Sequence, residues 1–312
     1  MIGPRDTIGE ALPDARTAAR GEARGLLRLR SRTKKHLRTD ERVALWASRV
    51  VIILFLAAVL FPALWVVGTS FQGGLLFNST NIIPTSFTLQ HYRDLFANTS
   101  FLTWVRNSVI VCTSVGVVTV LLVATMAYAF SRFRFAGRKY GLMFLLLVQM
   151  FPAQMSFIAF YYLLIQIHLI DTLQGLILVL IGGQLPFNAW LFKGYIDSLP
   201  KDLEEAAYVD GATKLQAYIR VILPLTRPMM AVVFIFVWFG MYSEFLVSSW
   251  LLNSQGNFTM PLGLYGFINN QFLNNWTEFA AAAVLGTIPL MIVFLMAQRF
   301  LVAGLARGAV KG

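Results

Sequence analysis

SLPKDLEEAAYVDGATKLQAYIRVILPLTRP, residues 198–228, is a charged stretch set between two apolar runs. Pro200 suits the first turn of a helix, where a missing N–H costs nothing. Asp202, Glu204 and Glu205 complement the positive end of that helix's dipole. Leu203, Ala206 and Ala207 follow at i, i+3, i+4 spacing and make a small apolar face. Asp210 and Gly211 offer a break where a positive φ is tolerated. A second short helix, with Leu215, Tyr218 and Ile222 on one side, is expected to end before Pro224. The stretch is too polar to enter lipid. It therefore reads as two short helices joined by a glycine turn and held at a membrane surface, a shape that fits a groove on a partner.

Working outward from it, apolar segments of about 20 residues or more recur, the length a helix needs to cross a bilayer. Six are expected, over about 46–70, 107–130, 141–165, 173–193, 228–250 and 279–301. The fourth is interrupted by Gly182, Gly183 and Pro186, and Pro152 and Pro289 interrupt the third and sixth. Loop charge sets their direction. The 131–140 loop carries Arg132, Arg134, Arg138 and Lys139 and no acid, and the 194–227 loop carries Lys201, Lys214, Arg220 and Arg227. The 166–172 and 251–277 connections have no Lys or Arg. Positive loops alternate with neutral ones, which puts both termini and the 198–224 loop in the cytoplasm.

Composition agrees with a membrane protein. Of 312 residues, 57% are hydrophobic and 13% charged, against about a quarter charged in soluble domains. Residues 1–42 form a basic arm with eleven Lys/Arg against six acids. An apolar span follows at once, so the arm reads as a cytoplasmic tail facing anionic lipid rather than a nucleic-acid binder. The rest, residues 43–312, reads as one six-helix domain. The first apolar run is too long for a signal peptide and is expected to remain as an anchor. A single cysteine, Cys112, excludes a disulfide framework within the chain. His36, His91 and His168 are far apart and have no metal-ligand spacing. No phosphate-binding Gly-x-x-x-x-Gly-Lys-Ser/Thr run occurs, so any nucleotide is hydrolysed elsewhere.

The 198–224 loop resembles the EAA loop of ABC importer permeases, whose pattern is Glu-Ala-Ala, three residues, Gly, nine residues, Ile, any residue, Leu-Pro. Here it reads Glu205, Ala206, Ala207, Gly211, Val221, Leu223 and Pro224, with Val221 where Ile is usual. Asn107-Ser108, the stretch from Ala127-Tyr128-Ala129 to Arg134, Pro186-Phe187, and the tail Gly308 to Gly312 also look like the smaller permease of carbohydrate importers, the maltose/maltodextrin type above all. The resemblance implies an all-α, type I importer permease with six membrane helices and a cytoplasmic coupling helix, seated in the bacterial plasma (inner) membrane. It implies a heterodimer with a second permease, two ATP-binding cassette subunits and an extracytoplasmic sugar-binding protein. It implies no catalysis and no cofactor on this chain, with ATP and Mg on the ATPase subunits. Glu205, Ala206, Ala207, Asp210, Gly211, Leu223 and Pro224 are then the ATPase-coupling residues, and Val310, Lys311 and Gly312 a second ATPase contact. Maltose/maltodextrin, trehalose or a related oligosaccharide is the implied cargo.

Other polar residues admit two readings. Gln149, Gln154, Gln184 and Asn188 lie near aromatic Phe151, Tyr161, Phe187 and Trp190, and sugars are held by amides and flat rings. Such amides also bond helix to helix, at roughly 0.6–2 kcal/mol each. Glu244 is the one acid inside an expected span, and a structural hydrogen-bonding role near the interface is expected of it. An ion-coupled secondary transporter is the alternative; it calls for intramembrane charge pairs and has no use for the 198–224 loop.

Overall fold

A computed structural model describes residues 39–74, 84, 86–269 and 275–309. Among them the chain is helical, with one isolated antiparallel bridge between Gln72 and Phe87. The helices are α1 (Thr39–Ser70), α2 (Gln90–Asn98), α3 (Phe101–Arg132), α4 (Arg138–Val148), α5 (Phe157–Gln166) and α6 (Leu173–Asp197). They continue with α7 (Asp202–Val209), α8 (Lys214–Leu225), α9 (Arg227–Tyr242), α10 (Leu246–Leu251), α11 (Met260–Tyr265) and α12 (Trp276–Ala309). The chain divides into two units after Leu60. The part of α1 in the first, residues 39–60, is apolar and exposed, Val51, Ile53 and Phe55 included. The rest belongs to the second.

The second unit is organised around α3. Trp104, Ser108, Val111, Val115, Thr119, Val123, Ala127 and Ser131 recur at three or four residues and are all buried, so one stripe of α3 is covered along its whole length. Leu102, Val117, Leu121 and Leu122, on the other side, are exposed. An exposed leucine costs nothing where the solvent is hydrocarbon, and the buried stripe is accordingly the one with small and polar residues. Helices α6 and α9 pack against α3, and α12 packs against α9. Asn107 and Ser108 hold the segment before α11 to α3. The Asn107 amide donates to Gly256 O at 2.9 Å and Phe258 O at 3.0 Å, and Ser108 Oγ accepts from Met260 N at 2.7 Å.

Among the described residues, four helices are long and apolar enough to cross a membrane: Val43–Ser70, Phe101–Arg132, Leu173–Asp197 and Trp276–Gln298. The bent pair α8–α9 supplies a fifth if it is one span. The breaks within the expected spans fall differently from the expectation in definite places. The third span is not one kinked helix: α4 stops at Val148, a short turn covers Ala153–Ser156, and α5 begins at Phe157. Pro152 has no N–H to continue the ladder, and the chain restarts rather than bends. The fourth is the reverse. Gly182, Gly183 and Pro186 were expected to interrupt it, yet α6 runs unbroken with Pro186 inside, as does α12 past Pro289. Neighbouring helices satisfy freed backbone groups well enough for proline to stay within membrane helices.

The fifth expected span ends early, at Tyr242. Glu244 then caps α10: its carboxylate accepts from Val247 N at 2.6 Å, Ser248 N at 3.1 Å and Ser248 Oγ at 2.6 Å. A carboxylate so placed is the favoured partner of a helix start, which is the structural role expected of it.

At the end of α6 away from Lys193, Asp171 ties two connections together. Its carboxylate accepts from Asn253 N at 2.8 Å and Ser254 N at 3.0 Å, and also from Ser254 Oγ. Its backbone N–H donates to Leu251 O at 3.0 Å, and its carbonyl accepts from the Asn257 amide. Burial pushes the carboxyl upward, but the hydrogen bonds from Ser254 and Asn253 outweigh it and hold the group below its ordinary value. A depressed carboxyl stabilises the fold fully above its unfolded value of about 3.9 and stops doing so as pH falls through the lower folded value. Asp171→Asn keeps the positive φ of 53° tolerable and removes the charge. We expect it to lower stability by about 1 kcal/mol at neutral pH. The variant should also lose less stability than wild type between about pH 4 and pH 2. Thermal unfolding of the solubilised protein across that range checks both.

Candidate functional site

The 198–228 stretch forms a helix–turn–helix at the basic end of the α3 and α6 bundle. Helix α7 begins at Asp202 with Lys201 before it, so Pro200 precedes the first turn instead of lying in it. Asp202, Glu204 and Glu205 occupy that first turn. The helix closes on a left-handed glycine: Gly211 has φ +84°, Gly211 N donates to Tyr208 O at 3.0 Å and Ala212 N to Ala207 O at 2.9 Å. These two bonds together are the Schellman closure, which satisfies the last carbonyls of the helix.

Helix α8 starts on a capping box. Thr213 Oγ1 accepts from Gln216 N at 3.3 Å, and Gln216 Oε1 accepts from Thr213 N at 2.8 Å. The helix does not end before Pro224, as the proline suggested. It widens to a π turn over Tyr218–Ile222 and continues to Leu225. The wider turn lets the Leu223 N–H reach Tyr218 O. Thr226 is the joint to α9, which leaves at 69°; its N–H donates to Ile222 O at 3.0 Å and its hydroxyl to Leu223 O at 2.9 Å. The loop is therefore continuous with a long apolar helix.

Its other attachment is electrostatic. Glu204 is buried, at 4% exposure, and pairs with Arg132 at the end of α3: Nε to Oε1 is 2.5 Å. Tyr128, one turn earlier on α3, donates from its hydroxyl to Glu204 Oε2 at 3.1 Å. The Arg132 guanidinium also donates to Ile196 O at 3.2 Å and Leu199 O at 3.1 Å, at the end of α6. Ser131 donates to Asp197 at 2.5 Å, and Lys193 pairs with the same carboxylate. Three elements thus meet on one arginine: α3, the end of α6 and α7. Aromatic packing adds a fourth, since the ring of Tyr218 on α8 stacks on Tyr128 at 4.5 Å between centroids and 28° between planes.

The loop's outer side mixes charged residues with large apolar ones that are not buried. Val209 is 88% and Leu215 65% exposed, and Leu203 and Ile219 are exposed as well. Glu205, Ala206, Asp210 and Gly211 lie exposed on the same loop, while Ala207, Leu223 and Pro224 are half-buried. The apolar residues expected to share a side are not buried together. Leu203 and Ala206 point outward, and the inner side of α7 is Glu204 with Ala207. On α8, Tyr218 and Ile222 are buried but Leu215 is not. Val310, Lys311 and Gly312 lie outside the described residues, as does the basic arm before Thr39.

Sequence reasoning passed over Glu204 and Arg132 as partners. It read Arg132 only as loop charge and Glu204 only as a dipole complement. The available signal was that adjacent glutamates on a helix lie about 100° apart, so that one of the two faces inward.

Two of the amides in the middle of the bundle are already bonded. Gln149 Nε2 donates to Gly183 O at 2.6 Å, and Asn188 Nδ2 donates to Gln184 O at 2.7 Å within α6. Gln149 is thereby placed beside Gln184, whereas the side chain of Gln154 lies outside the described residues.

Comparisons with known proteins bear on this arrangement. The family described as "Binding-protein-dependent transport system inner membrane component" matches residues 116–307, from the middle of α3 through the helix–turn–helix to α12. The chain is 40% identical over 266 residues to the galactooligosaccharides transport system permease protein GanQ of Bacillus subtilis, covering 84% of this chain and 94% of that one. It is 37% identical over 293 residues to the maltose/maltodextrin transport system permease protein MalG of Escherichia coli K12, covering 88% and 98%. Among solved structures, a chain of a bacterial ABC transporter involved in import of the acidic polysaccharide alginate superposes with a TM-score of 0.71 at 25% identity, over 85% of this chain and 99% of that one. This chain therefore belongs to the binding-protein-dependent transport system inner membrane components, as a non-catalytic sugar permease of the ABC importers seated in the inner membrane.

Proposed function

We propose that the helix–turn–helix of α7 and α8 is the docking element for a cytoplasmic ATPase subunit, and that it converts closure of the ATPase pair into rotation of the helix bundle. The observation that carries this is the loop's two-sidedness. Its exposed face carries the large apolar side chains Leu203, Val209, Leu215 and Ile219 among charged ones, while its inner face is fastened to α3 through the buried Glu204–Arg132 pair. A surface built to be gripped is joined to the helix on which the bundle is organised. ATP and Mg are held by the ATPase subunits and neither by this chain. The C-terminal residues 310–312 are a second contact with the same subunits.

In this reading the chain forms half of the pathway with a second permease, and a loaded sugar-binding protein docks on the opposite face, over loops 71–105 and 251–277. All six spans of the sequence reading are kept, with α4 and α5 together as the third and α9 with α10 as the fifth. Maltose/maltodextrin, trehalose or a related oligosaccharide is the cargo. The names of the relatives support that class, since they include a maltodextrin permease from Bacillus subtilis, 35% identical, and the galactooligosaccharide permease.

The test is ATP-driven maltodextrin uptake by the whole complex in proteoliposomes. Glu204→Gln keeps the shape and removes the charge that Arg132 needs. Breaking a buried pair from one side costs roughly 3–5 kcal/mol, so uptake per ATP should fall about tenfold or more while the subunits still co-purify. Glu205→Lys, at an exposed position, should leave stability within about 0.5 kcal/mol and weaken capture of the ATPase. Unaltered uptake by both variants would sink the coupling role.

Gly211→Ala isolates the turn. No atom lies within 4 Å of the added Cβ, so the cost is the left-handed backbone alone, roughly 1–2 kcal/mol. Uptake should drop by less than for Glu204→Gln, with ATPase capture reduced in step. A thermal-shift and pull-down series on the complex checks it.

A further inference from the structure

The basic end of the bundle carries a groove that the coupling element does not use. It is about 1280 Å³ in volume and lies between α4, the end of α6 and the 133–137 connection. Four cations line it: Arg134, Arg138, Lys139 and Lys193. Two of them are committed. Arg138 donates to Phe130 O at 2.9 Å and Ser131 O at 2.8 Å, and Lys193 is paired with Asp197, the one acid in the lining. Arg134 and Lys139 have no carboxylate partner among the described residues; Lys139 rests over the Tyr140 ring, 5.1 Å from its centre.

Below the cations the walls change character. Met143 and Leu146 on α4, and Trp190 and Leu191 on α6, line the same groove. They lie one to two helical turns from Arg138 and Asp197, so the groove runs from charged helix ends about 10 Å into apolar surface. A cationic mouth over an apolar trough, at the depth where headgroups give way to hydrocarbon, matches one kind of occupant: an anionic phosphodiester carrying acyl chains. A soluble phosphate would have no use for Met143 and Leu146, and an acidic peptide would leave its backbone groups unpaired against them.

We infer that this groove binds an anionic glycerophospholipid of the cytoplasmic leaflet, its phosphate between Arg134 and Lys139 and an acyl chain along α4 and α6. The inference rests on the orientation that places the basic loops in the cytoplasm. The bound lipid would lie beside the end of α6, two residues from the Leu199 carbonyl that Arg132 holds.

The test uses the whole complex in nanodiscs containing dioleoylphosphatidylglycerol and dioleoylphosphatidylcholine. Native mass spectrometry after partial delipidation should show phosphatidylglycerol retained over phosphatidylcholine. Arg134→Ser with Lys139→Ser should weaken that retention about fivefold per cation, roughly 25-fold together, and Arg134→Lys with Lys139→Arg should restore it. A fluorophore on Met143→Cys, with both cations intact, should be quenched by spin-labelled phosphatidylglycerol and not by the phosphatidylcholine analogue.

Equal retention of both lipids, displacement by inorganic phosphate alone, or cross-linking of Met143→Cys to another subunit would each overturn the proposal. Ala136→Cys, labelled with an impermeant maleimide, separates the two levels. Labelling from the cytoplasmic side with no lipid preference overturns the lipid site alone. Labelling from the outer side overturns the orientation and the lipid site with it.

Discussion

The Glu204–Arg132 pair is the contact on which the arrangement of this protein depends. A carboxylate and a guanidinium, with side chains only 5% and 7% exposed, are expensive to take out of water, and their attraction repays that cost only when the remaining donors and acceptors are also satisfied. Here they are. Tyr128 serves the second carboxylate oxygen, and the Ile196 and Leu199 carbonyls serve the guanidinium. The pair can therefore hold a surface loop to a membrane helix without leaving a buried charge alone. An apolar contact of the same size would hold it too, but it would not fix direction. The bidentate reach of arginine toward both α6 and α7 gives the joint its geometry.

The other joint is covalent. Because α8 passes into α9 through Thr226 at 69°, the two helices are joined by continuous backbone. The loop is thus attached to the bundle twice, once by backbone to α9 and once by charge to α3, and α9 packs on α3. Local closures define the two short helices: the Schellman turn at Gly211, the capping box at Thr213 and the π turn before Pro224. In the proposed docking role, force applied to the exposed Val209 or Leu215 would reach the bundle through both attachments. Rigid packing transmits such displacements instead of absorbing them.

Much of this was legible in the residues alone. Apolar length marked α1, α3, α6 and α12, since a hydrocarbon solvent demands long uninterrupted helices and little else produces them. The glycine turn was legible because a left-handed φ almost requires Gly. Breaks were harder. Pro152 and Pro186 look alike in sequence, yet one ends a helix and the other does not, because the outcome depends on whether neighbours can satisfy the freed carbonyl. The inward glutamate was harder still. Glu204 and Glu205 differ only by a rotation about the helix axis, and the Arg132 that selects between them lies 72 positions away. A motif names the residues of a loop; which side faces the membrane is decided by a long-range contact.

The central claim is that α7 and α3 move as one body when the ATPases close. Spin labels on the exposed residues Val209 of α7 and Leu121 of α3 report this most directly, in the full complex with and without trapped ATP. The distance between them should stay the same in both states while each label moves relative to the opposite face of the membrane. A distance that changes on ATP binding, with the Glu204–Arg132 pair intact, would contradict the account.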